Sequence, residues 1–246
     1  MIKNLLILAL FAITLMSCQF TETMILNEDG TGKMTIEVNL NEMMAFGNEA
    51  MTDSVPVKLD TIVYMKQFLE EKKDSISKLP AGEQKKLKAM ENFYVNMKMN
   101  SETSEMIYSI STDFKNINEA NDLLNSLEQA GDLMPNQNSS TQLKKEGDSP
   151  EIVGVKYSFN KGVFKRDAYI KDKELHRKEV DSLKETAAFL GSSMYSLNYT
   201  FPRKIKRTSN SKATFSGDKK TVFVKESFIE YFKNPDLLDL EVELEN

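Results

Sequence analysis

The sequence predicts an α+β fold: an antiparallel sheet of β-hairpins with amphipathic helices packed on one face. Three observations carry that expectation. Apolar and polar residues alternate with period 2 in several short runs, as Met34, Ile36, Val38 and Leu40 do against Lys33, Thr35, Glu37 and Asn39. Turn chemistry such as Asp29-Gly30 separates neighbouring runs. Between the hairpins, apolar residues recur at helical spacing, as in Val180, Leu183, Ala187 and Leu190.

The chain opens with Met1-Ile2-Lys3-Asn4 and an apolar stretch from Leu5 to Met16 broken only by Thr14. A charged start and a short apolar middle form an export signal, too short to span a bilayer, which takes about 20 apolar residues. The stretch ends Leu15-Met16-Ser17-Cys18, with an aliphatic residue at −3 and a small one at −1. This looks like a lipobox, which implies that residues 1–17 are removed and that the Cys18 thiol takes a lipid. A thiolate is the nucleophile such a transfer needs. Two or three acyl chains, at about 0.8 kcal/mol per buried methylene, hold a protein on a membrane where one chain does not. Residues 18–21 are then a lipidated anchor and 22–246 an α+β envelope domain. Gln19 in place of Asp after the cysteine favours the periplasmic face of the outer membrane.

A strand is expected from Glu22 to Leu26, then the turn Asn27 to Gly32 and the alternating strand that follows. Residues 41–55 read as a short helix or loop. The spacing of Ile62, Met65, Leu69, Ile76 and Leu79 predicts an amphipathic helix over Leu59–Leu79, ended by Pro80, with a short Lys-rich helix from Glu83 to Asn92. Strands follow at Val95–Met99 and Met106–Ile110 around the turn Ser101 to Ser104. A helix is expected over Asn116–Ala130, and 132–149, polar with Pro135 and Gly147, is expected as a disordered loop. The second half predicts strands at Ile152–Phe159 and Val163–Ile170, a charged helix over Asp172–Leu190, and strands at Tyr195–Phe201 and Thr221–Lys225. A short helix at Ser227–Lys233 precedes a strongly alternating strand, Leu238 to Leu244.

Composition excludes several chemistries. The chain carries 32 basic and 37 acidic residues, and losing Lys3 with the leader takes the net charge from −5 to −6. Such an acidic balance argues against nucleic acid as a partner. Cys18 is the only cysteine and His176 the only histidine, so a disulfide within the chain, a thiolate metal site and a multi-His site are all excluded. No cofactor and no metal are expected. His176 reads as a helix-surface residue. Gly147-Asp148-Ser149 has the letters of an esterase nucleophile, but it sits in a polar loop before Pro150 rather than after a buried strand. Gly30-Thr31-Gly32-Lys33 lacks the earlier glycine and the following Ser or Thr of a phosphate loop.

Three features remain for binding. Asp239, Glu241, Glu243 and Glu245 line the wet face of the last strand. Arg203, Lys204, Lys206, Arg207 and Lys212 form a basic cluster, read as a soluble loop or as a surface for anionic head groups. The mature chain keeps twelve of the fourteen methionines, and Met24, Met34, Met97, Met99 and Met106 fall on inferred inner strand faces. Methionine adapts to irregular apolar shapes, so these are either a soft core or the wall of a lipid or peptide cavity.

Two segments resemble a known family. Leu26-Asn27-Glu28-Asp29-Gly30-Thr31-Gly32 leading into an alternating strand is similar to the opening hairpin of the LppM-like envelope lipoproteins. Tyr199-Thr200-Phe201-Pro202-Arg203-Lys204-Ile205, Ser209-Asn210 and Gly217-Asp218-Lys219-Lys220-Thr221-Val222 resemble that family's closing strands. Phe223 stands where relatives often have Trp, Arg203 replaces a Gly, and the middle is more helical. The overall pattern also resembles lipoproteins of Bacteroides-type bacteria. The resemblance implies one α+β domain on the outer side of a membrane with a lipid as ligand, and it supplies no catalytic residue. The expected function is a membrane-anchored, non-catalytic envelope lipoprotein that binds a lipid, an amphipathic ligand or a partner protein. A structural or assembly subunit is the alternative, and a hydrolase ranks last.

Overall fold

The computed structural model describes residues 19–48, 58–121 and 152–246. The leader, Cys18, Ser149 and the polar stretch 132–149 lie outside the described residues, as does most of the helix expected over Asn116–Ala130. The chain runs β1 (Gln19–Leu26), β2 (Gly32–Asn39), α1 (Asn41–Asn48), β3 (Lys58–Tyr64), α2 (Met65–Glu71), α3 (Lys73–Ile76) and α4 (Ala81–Ala89). Then come β4 (Phe93–Asn100), β5 (Glu105–Phe114), a 3-10 turn (Ile117–Ala120), β6 (Val153–Asn160), β7 (Val163–Ile170) and α5 (Lys173–Leu190). It closes with β8 (Met194–Thr200), β9 (Ile205–Thr208), β10 (Thr214–Phe215), β11 (Thr221–Ser227), α6 (Phe228–Lys233), a 3-10 turn (Pro235–Leu238) and β12 (Leu240–Leu244).

The fold class is α+β, and the sheet arrangement corrects the expectation in two ways. First, the large sheet is mixed. Its order is β10-β11-β8-β1-β2-β5-β4-β3, and β1 pairs in parallel with β8 from Gln19↔Met194 to Ile25↔Thr200 while pairing antiparallel with β2. The N-terminal strand thus bridges the two halves of the chain, a long-range pairing that local periodicity does not encode. Second, much of the inner face is covered by another sheet rather than by helices. Strands β6-β7-β12-β9 form that second sheet, and Phe164 on β7 packs edge-on against Tyr199 and Phe201, with centroids 5.5 and 5.3 Å away. Met24, Met34, Leu197, Val222 and Val242 are fully enclosed there, and burying such side chains contributes about 1.5–3 kcal/mol each. Met65, Leu87 and Met90 from the α2–α4 region join the core at the β3–β5 end.

Two boundaries differ for local reasons. Residues 59–64, expected in a helix, fall in strand β3 (Lys58–Tyr64), because Thr61-Ile62-Val63-Tyr64 is a β-branched and aromatic run whose strand preference outweighs the helical spacing; the helix begins at Met65. Strand β1 begins at Gln19, so Gln19 to Thr21, expected in the anchor, pair with Asn39, Val38 and Glu37. The first hairpin turns as expected. Gly30 has φ +82°, which only glycine adopts without penalty, and the Asp29 carboxylate accepts from Thr31 N–H at 3.0 Å and Thr31 O–H at 2.7 Å.

Candidate functional site

Between the two sheets lies a carboxylate with no exposure to solvent to speak of. Alternation along β1 points Phe20, Glu22, Met24 and Leu26 inward, so Glu22 occupies a core position at 1% exposure. On β7 the same alternation turns Phe164, Arg166 and Ala168 inward, and Arg166 is 2% exposed. Arg166 donates from Nη2 to Glu22 Oε2 at 3.2 Å and from Nε to Oε1 at 3.4 Å. Tyr195 donates to Oε2 at 2.8 Å, and the Tyr157 and Tyr199 hydroxyls both donate to Oε1. Arg166 also donates to the Leu238 carbonyl at 3.2 Å and to the Tyr231 hydroxyl at 3.1 Å.

This network holds one protonation state. Burial alone pushes the Glu22 carboxyl up, but the Arg166 charge and the hydrogen bonds from Arg166, Tyr157 and Tyr199 bring it below its ordinary 4.5. Burial pulls the Arg166 guanidinium down, and the facing Glu22 carboxylate together with Tyr231, Tyr199 and Tyr157 more than reverses this. Burial, followed by the Glu22 charge, drives Tyr157, Tyr195 and Tyr199 well above their usual range, so all three stay protonated donors. Both carboxylate oxygens are occupied and enclosed. The arrangement locks the sheets in one stacking and offers no reacting group to solvent.

The sequence signal for this network was present: one acidic and one basic residue, each at an inward position of an otherwise apolar strand. A strand counted only from Glu22 hid the alternation through Phe20.

Other candidates fall in different places. Cys18 lies outside the described residues and is bonded to Gln19, the first residue of a central strand. His176 is buried at 7% exposure, not a helix-surface residue: its Nε2–H donates to the Phe232 carbonyl at 2.7 Å and its ring stacks on Phe232, joining α5 to α6. The basic cluster is not a free loop. Part of it is strand β9, where Lys206 pairs with Glu243 at 2.6 Å and Arg207 with Glu243 and Glu241. Arg203 pairs with Glu28 at 3.1 Å, and Lys212 with Glu226. The acidic face of the last strand is the other half of that ladder, with Lys165 on Glu241 at 2.8 Å. Asp239 instead accepts from the N–H of the buried Ala168 at 2.8 Å. Among the described residues no three acidic, His or Cys side chains gather closely enough to hold a metal ion, and no helix is long and apolar enough to cross a membrane.

The methionines divide. Met24 and Met34 are at 0% exposure in the core between the sheets. Met97, Met99 and Met106 are half-buried on the inner face of β4 and β5, where Met97 stands opposite Tyr108 and Met99 opposite Met106. Leu59 on β3 extends this patch and is 37% exposed. The Tyr108 hydroxyl is buried with no hydrogen-bond partner among the described residues, and burial pushes it up to about 12. A buried donor in that condition is costly, by about 1–3 kcal/mol.

The fold and these sites define a two-sheet α+β body with a sealed polar core and a half-covered, methionine-lined sheet face. In comparison with known proteins, no family model and no curated protein matches the chain. Among solved structures it is similar to the folded domain of LppM from Mycobacterium tuberculosis, determined by NMR, with a TM-score of 0.41 and 7% identity over 93% of this chain and 89% of that one.

Proposed function

We propose that the chain is a lipid-anchored, non-catalytic body of the bacterial envelope, on the periplasmic face of the outer membrane, that binds an apolar or amphipathic molecule. The anchor is Cys18, read from Leu15-Met16-Ser17-Cys18 behind a charged and then apolar leader. The observation that carries the binding reading is the half-covered face of Met97, Met99 and Met106 around the Tyr108 hydroxyl, which has no hydrogen-bond partner among the described residues. Flexible thioethers accommodate irregular apolar shapes, and one hydroxyl supplies a donor for the polar end of such a molecule. The absence of catalysis is supported by the enclosure of Glu22, whose two oxygens are taken by Arg166 and three tyrosines.

Native mass spectrometry of the mature chain purified in mild detergent tests this reading. Ligand adducts are expected on the unaltered chain and are expected to fall sharply in Met99→Lys and Tyr108→Phe. Repeated purification without an adduct would overturn the ligand reading.

One observation favours a second reading, an assembly subunit. Among the described residues strand β3 ends the large sheet with a seven-residue, bulge-free edge, and it exposes Ile62 at 50% and Tyr64 at 54%. Edges of that kind accept another strand. Crosslinking in cells that yields only monomer would remove this alternative.

A further inference from the structure

We infer that the end of the body at which β1 begins rests on the lipid surface, with the large sheet standing on that end. This deepens the anchored reading above and rests on it. No length of chain separates the anchor from the body. The Cα of Cys18 is bonded through one peptide to Gln19, about 3.8 Å away, and Gln19 already pairs with Asn39 on one side and Met194 on the other. Most of the freedom a flexible tether would give is absent. The lipid on Cys18 therefore brings one particular end of the sheet to the head groups.

The two ends of β1 differ in how much apolar side chain they gather. Around Gln19, β2 ends and passes through Leu40 into α1, β8 starts at Met194, and β11 ends and passes into α6. Leu40, Met44, Ile107, Met194, Phe228 and Ile229 are all half-buried there. Phe228 stacks on Phe20 with centroids 4.3 Å apart. Among the described residues the carboxylates at this end include Glu42 in the first turn of α1, Glu102 in the β4–β5 turn, and three that are ion-paired. Glu105 is paired with Lys98 at 2.8 Å, Glu230 with Lys233 at 2.9 Å, and Glu226 with Lys212. At the other end, about 23 Å along the strand, stand Glu28, Asp29, Arg203, Lys204, Asp218 and Lys219, in the turns that follow β1, β8 and β10. Arg203 and Lys204 of the basic cluster thus point away from the anchored end. A rim that gathers six half-buried apolar side chains beside the anchor and a rim of charged turns far from it match a lipid surface below and water above.

The chain has one cysteine and no tryptophan, which makes a direct test available. The mature chain, coupled through Cys18 to maleimide-headgroup lipid in phosphatidylcholine–phosphatidylglycerol vesicles, carries the same tether whether or not cells lipidate it. Single reporters Ile229→Trp at the near rim and Gly217→Trp in the far turn are then compared with a nitroxide on the lipid head group. Gly217 has room for a side chain, with nothing within 4 Å of an added Cβ. Quenching several-fold stronger at 229 than at 217 is expected. Equal quenching, weak quenching at both, or stronger quenching at 217 would overturn the orientation. Ile107→Trp provides a second near-rim reporter should Ile229→Trp not fold. Palmitate labelling in cells decides the anchored reading separately.

Discussion

The same ion-pair chemistry appears twice in this molecule with different consequences. Glu22 and Arg166 meet between the sheets at 1% and 0% side-chain exposure, whereas Arg207 and Glu243 meet on the outer face of the second sheet at 66% and 25%. The exposed pair can separate into water with little loss. The enclosed pair cannot, because either partner alone would be a bare charge in the core. The first therefore fixes how two sheets stack, and the second only dresses a surface.

The largest effect is expected at Glu22. Glu22→Ala leaves the Arg166 charge without its counter-charge and three tyrosine hydroxyls without their acceptor, and should cost about 3–5 kcal/mol, read as a lower urea midpoint. The double variant Glu22→Leu/Arg166→Met should recover part of that loss; no recovery would show that the tyrosines rather than the charges carry the network. The next effect is on pH dependence. Glu22 is held below its unfolded value of about 4.5, so its contribution is complete above that pH and disappears as pH falls through the lower folded value. Thermal midpoints should accordingly drop below about pH 4.5 in the unaltered chain, and more shallowly in the double variant.

Asp239 is the intermediate case. Burial raises its carboxyl above 3.8, partly offset by the Ala168 N–H, so its charge opposes folding above the folded value and that opposition eases as pH falls. Asp239→Asn keeps an oxygen for Ala168 and should match or slightly exceed the parent in stability at pH 7. The smallest effect is expected at Glu243→Gln, which should leave the thermal midpoint within replicate scatter. Raising salt to 1 M, where the screening length is about 3 Å, should erase whatever difference remains there and leave the Glu22 variants unchanged.

The hairpins were legible in the sequence because alternation and turn chemistry are local. Asp29-Gly30, Lys161-Gly162 and the runs through Ile36, Phe164 and Val242 each identify a strand without reference to the rest of the chain. What local pattern could not supply was partnership across distance. The parallel pairing of β1 with β8 joins residues 175 positions apart, as Gln19 with Met194, and nothing near Glu22 announces that Arg166 will face it. Strand β9 was hidden by its charges, since Lys206 and Arg207 read as a loop until Glu241 and Glu243 stand beside them. His176 looked like surface because its own helix is polar around it, and the carbonyl that holds it belongs to Phe232.

Cys18 decides whether the body is tethered to a membrane at all. Mass analysis of the N-terminal peptide, taken from the membranes of cells making the full chain, examines that residue directly. The expected peptide starts at Cys18 and carries a diacylglyceryl thioether, with a further acyl group on the new amine. A peptide with a free Cys18 thiol, or one in which residues 1–17 are still attached, would contradict it.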